Sequence, residues 1–382
     1  MKNSTVSRGI LVHVATAPQI TDVIDEIVHW FSGLGIADFT LLQAVTRSDG
    51  MHISCALLPH LSTQWFPDFN TGGLNAALAL ETVSNEVDLV REILLCMLVS
   101  PIEFQYPSFA ELQAAVHVRR NIVQAARRTA LAFDTVAAER PAEYWRYTEG
   151  HGFTLLSGTR LQDALEKATQ PESSKSLYSF SCYRATEYVI LLGIVKELAS
   201  CNRNLLTKLE KHWQRSPVMS ARFHESFLIE YGTMEQPVPQ KYYVPGDRVW
   251  FRNPDPISSE ITGYEGSWVI YLGGGLFSDF WRIGNTFTLD SKCLEVYHWR
   301  HGAWKDSNGQ WSMDEAAVER RVQISQDDKS QMQEILAVMM RYRDPRGVSD
   351  QGGCLDTTRE YSKFICPGTA NITLPDIPES HI

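Results

Sequence analysis

The beginning of the chain alternates hydrophobic and polar positions in a way that predicts a β-α-β-β unit. Alternation over residues 9–16, 38–46 and 51–58 predicts three strands. Between the first two, residues 21–31 carry apolar side chains at helical spacing and are followed by two nearby glycines, which predicts an amphipathic helix. We therefore expect residues 1–83 to form an N-terminal α/β extension.

Helical periodicity dominates the next part of the chain. Residues 84–99 predict a helix with Ser84 as its N-cap, and Pro101 ends it by removing a backbone donor. Residues 109–133 predict a longer amphipathic helix. The apolar run at residues 188–195 predicts a helix that is buried.

The second half of the chain has a different character. Residues 200–211 and 220–231 predict helices, whereas residues 240–304 are rich in Val, Tyr, Trp and Gly and predict an antiparallel sheet. Residues 313–343 are predicted to be helical again. The remaining residues are rich in Gly, Pro and Thr, and we expect an irregular tail.

Composition narrows the class of protein. A chain of 382 residues with 44% hydrophobic residues can bury a large core. A net charge of −10 argues against nucleic-acid binding, which needs clustered Lys and Arg. Seven cysteines without framework spacing predict reduced thiols and a cytoplasmic location. Because we find neither a zinc motif nor a membrane-length apolar run, we expect no metal, cofactor or membrane span.

Cys182 is the strongest candidate for a catalytic residue. It lies shortly before the apolar run at residues 188–195, so it falls near the start of a predicted helix. Free N–H groups and the partial positive charge of a helix N-terminus favour thiolate over thiol. The alternative interpretation is a buried structural cysteine, since free cysteines commonly pack as small hydrophobes.

Several blocks around Cys182 resemble a known enzyme family in the same order along the chain. The blocks cover residues 101–112, 119–126, 144–146, 178–182, 246–247 with 251–254, and 269–273. Together they resemble the protein-glutamine gamma-glutamyltransferases (transglutaminases) of bacterial spore coats. The resemblance covers about residues 100–285 and aligns Cys182 with the family's nucleophile.

The resemblance implies an α+β fold of the papain-like or transglutaminase-like kind, in which the nucleophile at a helix N-terminus faces an antiparallel sheet. It implies a catalytic domain over residues 84–310, followed by a C-terminal helix and irregular tail over residues 311–382. Such an enzyme takes an acyl group onto the cysteine and passes it to an amine.

This chain departs from the family at the residues that assist the cysteine. The family glutamate before the nucleophile is replaced by Ser181, and a second glutamate that works with the nucleophile is replaced by Ser267. The family histidine falls near Phe280 in an ungapped comparison. Either the base has moved to a neighbouring position, or transamidation of protein glutamine has been lost.

Three residues are candidates for the missing base or orienting group. Glu265 lies two residues before Ser267 and would share its face of an extended strand. Asp279 lies where the family histidine is expected. His298, with His301 nearby, is the next titratable candidate along the chain.

Two donors are compatible with this pattern. One is the side chain of a protein glutamine, with lysine or another amine as acceptor. The other is an acyl or peptidyl carrier protein, as used by transglutaminase-like amide-forming enzymes of polyketide and nonribosomal-peptide antibiotic biosynthesis of the andrimid type. An exposed basic helix face would suit an acidic carrier; the residues concerned are Arg119, Arg120, Arg127 and Arg128.

A third interpretation belongs to another class: a non-catalytic binding protein that kept the fold and lost the base. Cys182 would then be an ordinary thiol. The basic helix face also has an alternative, namely a solvated surface without a partner.

Overall fold

The computed structural model describes residues 7–133, 138–349 and 351–377. Its helices are α1 (Ile20–Gly33), α2 (Pro59–Trp65), α3 (Leu74–Leu78), α4 (Glu86–Leu98), α5 (Phe109–Arg128), α6 (Leu161–Thr169), α7 (Pro171–Ser174), α8 (Cys182–Cys201), α9 (Arg203–Trp213), α10 (Ala221–Phe227), α11 (Leu289–Gly302), α12 (Glu315–Asp327) and α13 (Lys329–Met339). Among the described residues, none of these helices combines the length and apolar character needed to cross a membrane.

The strands are short and belong to two larger sheets and three two-stranded pairs. They are β1 (Ile10–Val14), β2 (Thr40–Arg47), β3 (Gly50–Leu57), β4 (Phe104–Tyr106), β5 (Ala132–Phe133), β6 (Trp145–Thr148), β7 (Gly152–Leu155), β8 (Ser179–Phe180), β9 (Leu228–Tyr231), β10 (Arg248–Arg252), β11 (Gly266–Gly273), β12 (Leu276–Ser278), β13 (Thr286–Thr288), β14 (Ala303–Lys305), β15 (Trp311–Met313) and β16 (Arg359–Ser362).

The N-terminal part is the β-α-β-β unit predicted from the sequence. Its sheet has the order β2-β3-β1-β4, with β1 antiparallel to β3 and parallel to β4. Since β4 lies at Phe104–Tyr106, this sheet also includes chain from beyond residue 83. The boundary at residue 83 stays a prediction.

The central sheet has the order β13-β12-β11-β10-β16-β9, and every neighbouring pair is antiparallel. The antiparallel sheet predicted for residues 240–304 is present as β10 to β13, but its last part is wrong. Residues 289–302 form helix α11, which starts at a capping box: Thr288 accepts the Ser291 N–H, and Ser291 accepts the Thr288 N–H. The Val, Tyr, Cys and Trp content that favours strands is overridden by this local start and by tertiary packing.

Two further expectations need correction. The helix predicted for residues 220–231 ends at Phe227, and residues 228–231 form β9. The tail expected to be irregular contributes β16, which lies inside the central sheet between β10 and β9.

Helices α5 and α8 pack closely together beside the sheet. A Cβ atom added at Gly193 of α8 would lie 2.4 Å from the Ile122 side chain of α5, so glycine allows the close approach. Helix α5 is joined to the sheet by a buried ion pair of 2.8 Å between Arg119 and Asp247. Asp247 also accepts the hydroxyl of Tyr231 on β9 at 2.5 Å. Through these contacts, α5 and α8 are held in place beside the central sheet.

Candidate functional site

Cys182 is the first residue of α8, as the sequence predicts. The preceding Ser181 is the N-cap, and its hydroxyl accepts the backbone N–H of Arg184 at 3.3 Å. The serine that replaces the family glutamate thus has a structural task in starting the helix. The helix start is also held from outside, because Glu187 accepts the backbone N–H of Ser220 at 2.6 Å.

The thiol faces the beginning of β11. Its sulfur lies 4.0 Å from the carbonyl oxygen of Gly266. A Cβ atom at Gly266 would lie 2.3 Å from Nε1 of Trp250 and 2.6 Å from the carbonyl oxygen of Phe251, so a larger residue would displace the strand. The helix N-terminus and the sheet therefore meet as the predicted fold requires.

Arg248 supports this junction from behind. Its guanidinium lies 4.3 Å from the ring of Tyr183 and 4.0 Å from the ring of Trp268. It donates to the Thr186 hydroxyl at 2.9 Å and to the Glu360 carboxylate at 3.0 Å. Because Glu360 belongs to β16, the C-terminal strand takes part in positioning the Cys182 helix.

The surroundings of Cys182 act on its ionisation in opposite directions. Burial raises the pKa of the thiol above its usual value, and this effect dominates. The backbone N–H groups of Trp268 and Tyr183 and the positive charges of Lys292 and Arg248 lower it. The groups that lower the pKa of the thiol thus act against its burial, and they are the ones that favour the thiolate.

Cys182 opens into a cavity of about 530 Å³. Its aromatic wall is formed by Phe133, Tyr264, Trp281, Phe287 and Trp299. Its polar and charged wall is formed by Ser267, Asp279, Arg282, Asn285, Thr286, Ser291, Lys292, Glu295, Glu315, Glu319, Gln323 and Gln326. Histidine is absent from the described residues that line this cavity.

Asp279 is the candidate base that the structure brings into this cavity. It follows β12 directly and is 7% exposed. One carboxylate oxygen accepts the backbone N–H of Trp281 at 3.0 Å, and the other accepts the side-chain amide of Asn285 at 2.7 Å. Both oxygens are thereby held in fixed positions in the wall that Cys182 shares.

The other two candidates lie elsewhere. Glu265 is exposed, accepts the backbone N–H of Gly263 at 3.0 Å and does not line the cavity. His298 lines a second cavity of about 280 Å³ together with His301. Its Nδ1 lies 2.9 Å from Nδ1 of His301, and its Nε2 lies 2.8 Å from the hydroxyl of Ser325. Burial, with neighbouring positive charge, lowers the pKa of His298 to about 4.

The arginines predicted to form a docking face do not share one exposed surface. Arg119 is 1% exposed and paired with Asp247, because α5 lies inside the protein. Arg127 donates to the carbonyl oxygen of Leu272 at 2.9 Å. The remaining two form ion pairs nearer the surface, Arg120 with Glu86 at 2.7 Å and Arg128 with Glu172 at 3.4 Å. The expectation of one basic face including Arg119 is therefore corrected.

Lys292 is a site residue that the sequence did not suggest. It lies in the first turn of α11 and is 3% exposed, yet it lines the same cavity as Cys182. Had residues 289–302 been predicted as a helix, residues 292, 295 and 299 would have shared one face. The described residues contain no group of three or more His, Cys, Asp or Glu side chains that could hold a metal ion.

An α+β fold that sets a cysteine at a helix N-terminus against an antiparallel sheet is the transglutaminase-like class. The family model described as "Protein-glutamine gamma-glutamyltransferase" matches residues 73–358, and the chain belongs to this family.

Relatives with this name are found in two bacilli. The protein-glutamine gamma-glutamyltransferase of Halalkalibacterium halodurans is 26% identical over 203 residues, covering 52% of this chain and 66% of the relative. That of Bacillus subtilis is 25% identical over 192 residues, covering 46% and 67%. The chain thus spans about two thirds of the length of each relative. The solved transglutaminase from Geobacillus stearothermophilus without its C-terminal extension superposes with a TM-score of 0.38 at 20% identity, over 56% of this chain and 98% of that one.

Proposed function

We propose that this chain forms amide bonds by taking an acyl group onto Cys182 as a thioester and passing it to an amine. The observation that carries the proposal is the position of Cys182 at the N-terminus of α8, where it opens into a cavity of about 530 Å³ whose wall contains Asp279. Sulfur attacks the acyl carbonyl and the donor's leaving group departs with a proton. The amine then attacks the thioester and frees the thiol. Backbone N–H groups near Cys182 are suited to stabilising the oxyanion of each step.

For the donor we propose an acyl thioester borne by a carrier protein. Ser181 and Ser267 occupy the positions of two family glutamates, and Ser181 serves as a helix cap. A thioester is already activated, whereas a carboxamide must expel ammonia and needs more help from a proton donor. A site with fewer proton-transfer groups therefore suits a thioester, and the product would be an amide of a natural-product pathway.

A protein glutamine is the second candidate donor. It is favoured by the names of the relatives, both of which are protein-glutamine gamma-glutamyltransferases. In that case Asp279 would assist the departure of ammonia, and lysine side chains would be the acceptors. All seven cysteines are free thiols, which supports a reducing compartment such as the cytoplasm for either reaction.

The deciding experiment is intact-protein mass spectrometry after mixing the protein with each donor separately. An acyl-pantetheine or acyl-carrier thioester that adds its acyl mass, with the adduct absent in Cys182→Ala and discharged by an amine, supports the carrier donor. Ammonia release and amine incorporation with a glutamine-rich protein support the second donor. If neither donor modifies Cys182, the proposal fails and a non-catalytic binding protein becomes the favoured interpretation.

A further inference from the structure

Lys292 is a buried cation whose surroundings do not account for its burial. Its side chain is 4% exposed, and its ammonium lies 2.5 Å from a carboxylate oxygen of Glu295 and 3.6 Å from the centre of the Phe287 ring. An ammonium taken out of water costs several kcal/mol unless it is well compensated. A single carboxylate at i+3, itself 29% exposed, compensates that cost only in part. A second, negatively charged group in the cavity would complete the compensation.

Most of the charged groups around Cys182 already have partners. Those facing the cavity or the thiol are Arg248 from β10, Asp279 and Arg282 from the chain after β12, Lys292 and Glu295 from α11, and Glu315 and Glu319 from α12. Arg248 is already paired with Glu360, and Arg282 with Glu319. Glu315 accepts the hydroxyl of Tyr264 at 2.7 Å. Lys292 is therefore the buried cation of the cavity wall that is not bound by a buried carboxylate.

We propose that the Lys292 ammonium is the electrostatic partner of the Cys182 thiolate, in place of the glutamates that the family has at the positions of Ser181 and Ser267. Glu295 and Phe287 hold the ammonium in the cavity, where its charge offsets the charge that develops on sulfur. When the S–H bond breaks, its proton passes to water. Lys292 is a positioning residue rather than a base. A cation makes the thiolate available without accepting a proton.

This inference rests on the proposed function, because it assumes that Cys182 is the nucleophile. Cys182 and Lys292 line the same cavity, and the positive charge of Lys292 opposes the burial that raises the pKa of the Cys182 thiol. A bound donor that excludes further water would strengthen the attraction between the two groups.

The test is the pH dependence of Cys182 alkylation by iodoacetamide, followed from pH 6 to 10 by mass of the peptide containing Cys182. Lys292→Met should slow alkylation about tenfold at pH 8. The midpoint of the curve of alkylation rate against pH should move up by about one pH unit. Lys292→Arg should restore most of the rate. Glu295→Gln removes the competing negative charge and should move the midpoint in the opposite direction.

A purely structural role for Lys292 would lower the melting temperature of Lys292→Met without moving the midpoint, and that result would overturn the inference. If Lys292→Met does not fold, a midpoint in Glu295→Gln equal to or above that of the unmodified chain overturns it as well. Failure of the proposed function is seen separately, as the absence of any acyl adduct on the unmodified chain.

Discussion

The two sides of helix α11 face two cavities with different properties. One side carries Lys292, Glu295 and Trp299 into the cavity of Cys182. The other carries Tyr297, His298 and His301 into a smaller cavity closed by α12 and α13. The first cavity has charged groups and a thiol in its wall. In the second, His298 is hydrogen-bonded to His301 and to Ser325.

The difference follows from helical geometry. Successive residues of a helix are rotated by about 100°, so Lys292 and His298, six positions apart, lie on sides of α11 that are about 120° apart and reach separate cavities. A strand has only two faces. His298, which the sequence offered as a partner for Cys182, therefore lines the other cavity. Proximity in sequence to a candidate site is a weak guide when the intervening element is assigned wrongly.

The largest expected effect separates the two cavities by activity. Cys182→Ala should lower amide formation at least ~10³-fold, because no other group can carry the acyl intermediate. His298→Asn should keep the rate within about threefold of the unmodified chain. Rates measured by amine incorporation check both, and a comparable loss in His298→Asn would contradict the separation of the cavities.

Asp279 should have the next largest effect. Asp279→Asn removes a carboxylate from the wall of the Cys182 cavity and should lower kcat/KM about 10²-fold, a usual contribution of a group that transfers a proton, here from the attacking amine. Asn285→Ala removes only a hydrogen-bond donor to Asp279 and should cost less than about tenfold. Glu265→Gln is the matched control outside the cavity, and equal rates for Asp279→Asn and Glu265→Gln would refute the assignment.

The second cavity should affect how the stability of the fold depends on pH. The pKa of His298 is lowered to about 4 in the folded protein, below its ordinary value of 6.5. The unfolded chain therefore binds more protons between these values, and folding stability falls as pH decreases from about 6.5 to 4. His298→Asn should remove about 2 kcal/mol of this pH-dependent loss, as measured by urea unfolding at pH 4.5 and 7.5. An unchanged pH dependence would mean that His298 is charged in the folded state.

The smallest effect compares one hydroxyl from each cavity. Ser325 donates to Gln331 at 2.7 Å and contacts His298, so Ser325→Ala should lower the free energy of unfolding by about 1–2 kcal/mol without changing activity. Ser267 lines the Cys182 cavity, and Ser267→Ala should change kcat/KM by a few-fold with stability preserved. A loss of activity in Ser325→Ala, or a loss of stability in Ser267→Ala, would contradict the proposed difference between the two cavities.

Sequence patterns predicted the features that depend on local periodicity. The opening β-α-β-β unit and the helix that begins at Cys182 are confirmed, because apolar spacing and helix-start geometry are local properties. Helix α11 was missed because its residues favour strands, and its capping box uses Ser291 rather than the more recognisable Glu or Gln. Strand β16 was missed because Arg359 and Glu360 are both buried, which leaves no hydrophobic alternation to detect. Glu360 pairs with Arg248, and the guanidinium of Arg359 lies 4.3 Å from the centre of the Tyr243 ring.

The placement of Asp279, Lys292 and His298 could not be predicted for a related reason. Each depends on how distant elements meet, and sequence alone gives no distances between them. The family resemblance singled out Cys182, whose role as the nucleophile stays a prediction. It could not locate its partners, because the family positions for them are occupied by Ser181 and Ser267.

The interior position of β16 bears on how the protein is made. Residues 359–362 lie between β10 and β9, strands that are synthesised more than 100 residues earlier. During translation those two strands emerge from the ribosome without their common neighbour, and their exposed edges are open to pairing with other chains until the last strand arrives. Arg248, which supports the Cys182 helix, also lacks its partner Glu360 until β16 is in place. The surroundings of Cys182 are therefore completed only after β16 has been synthesised.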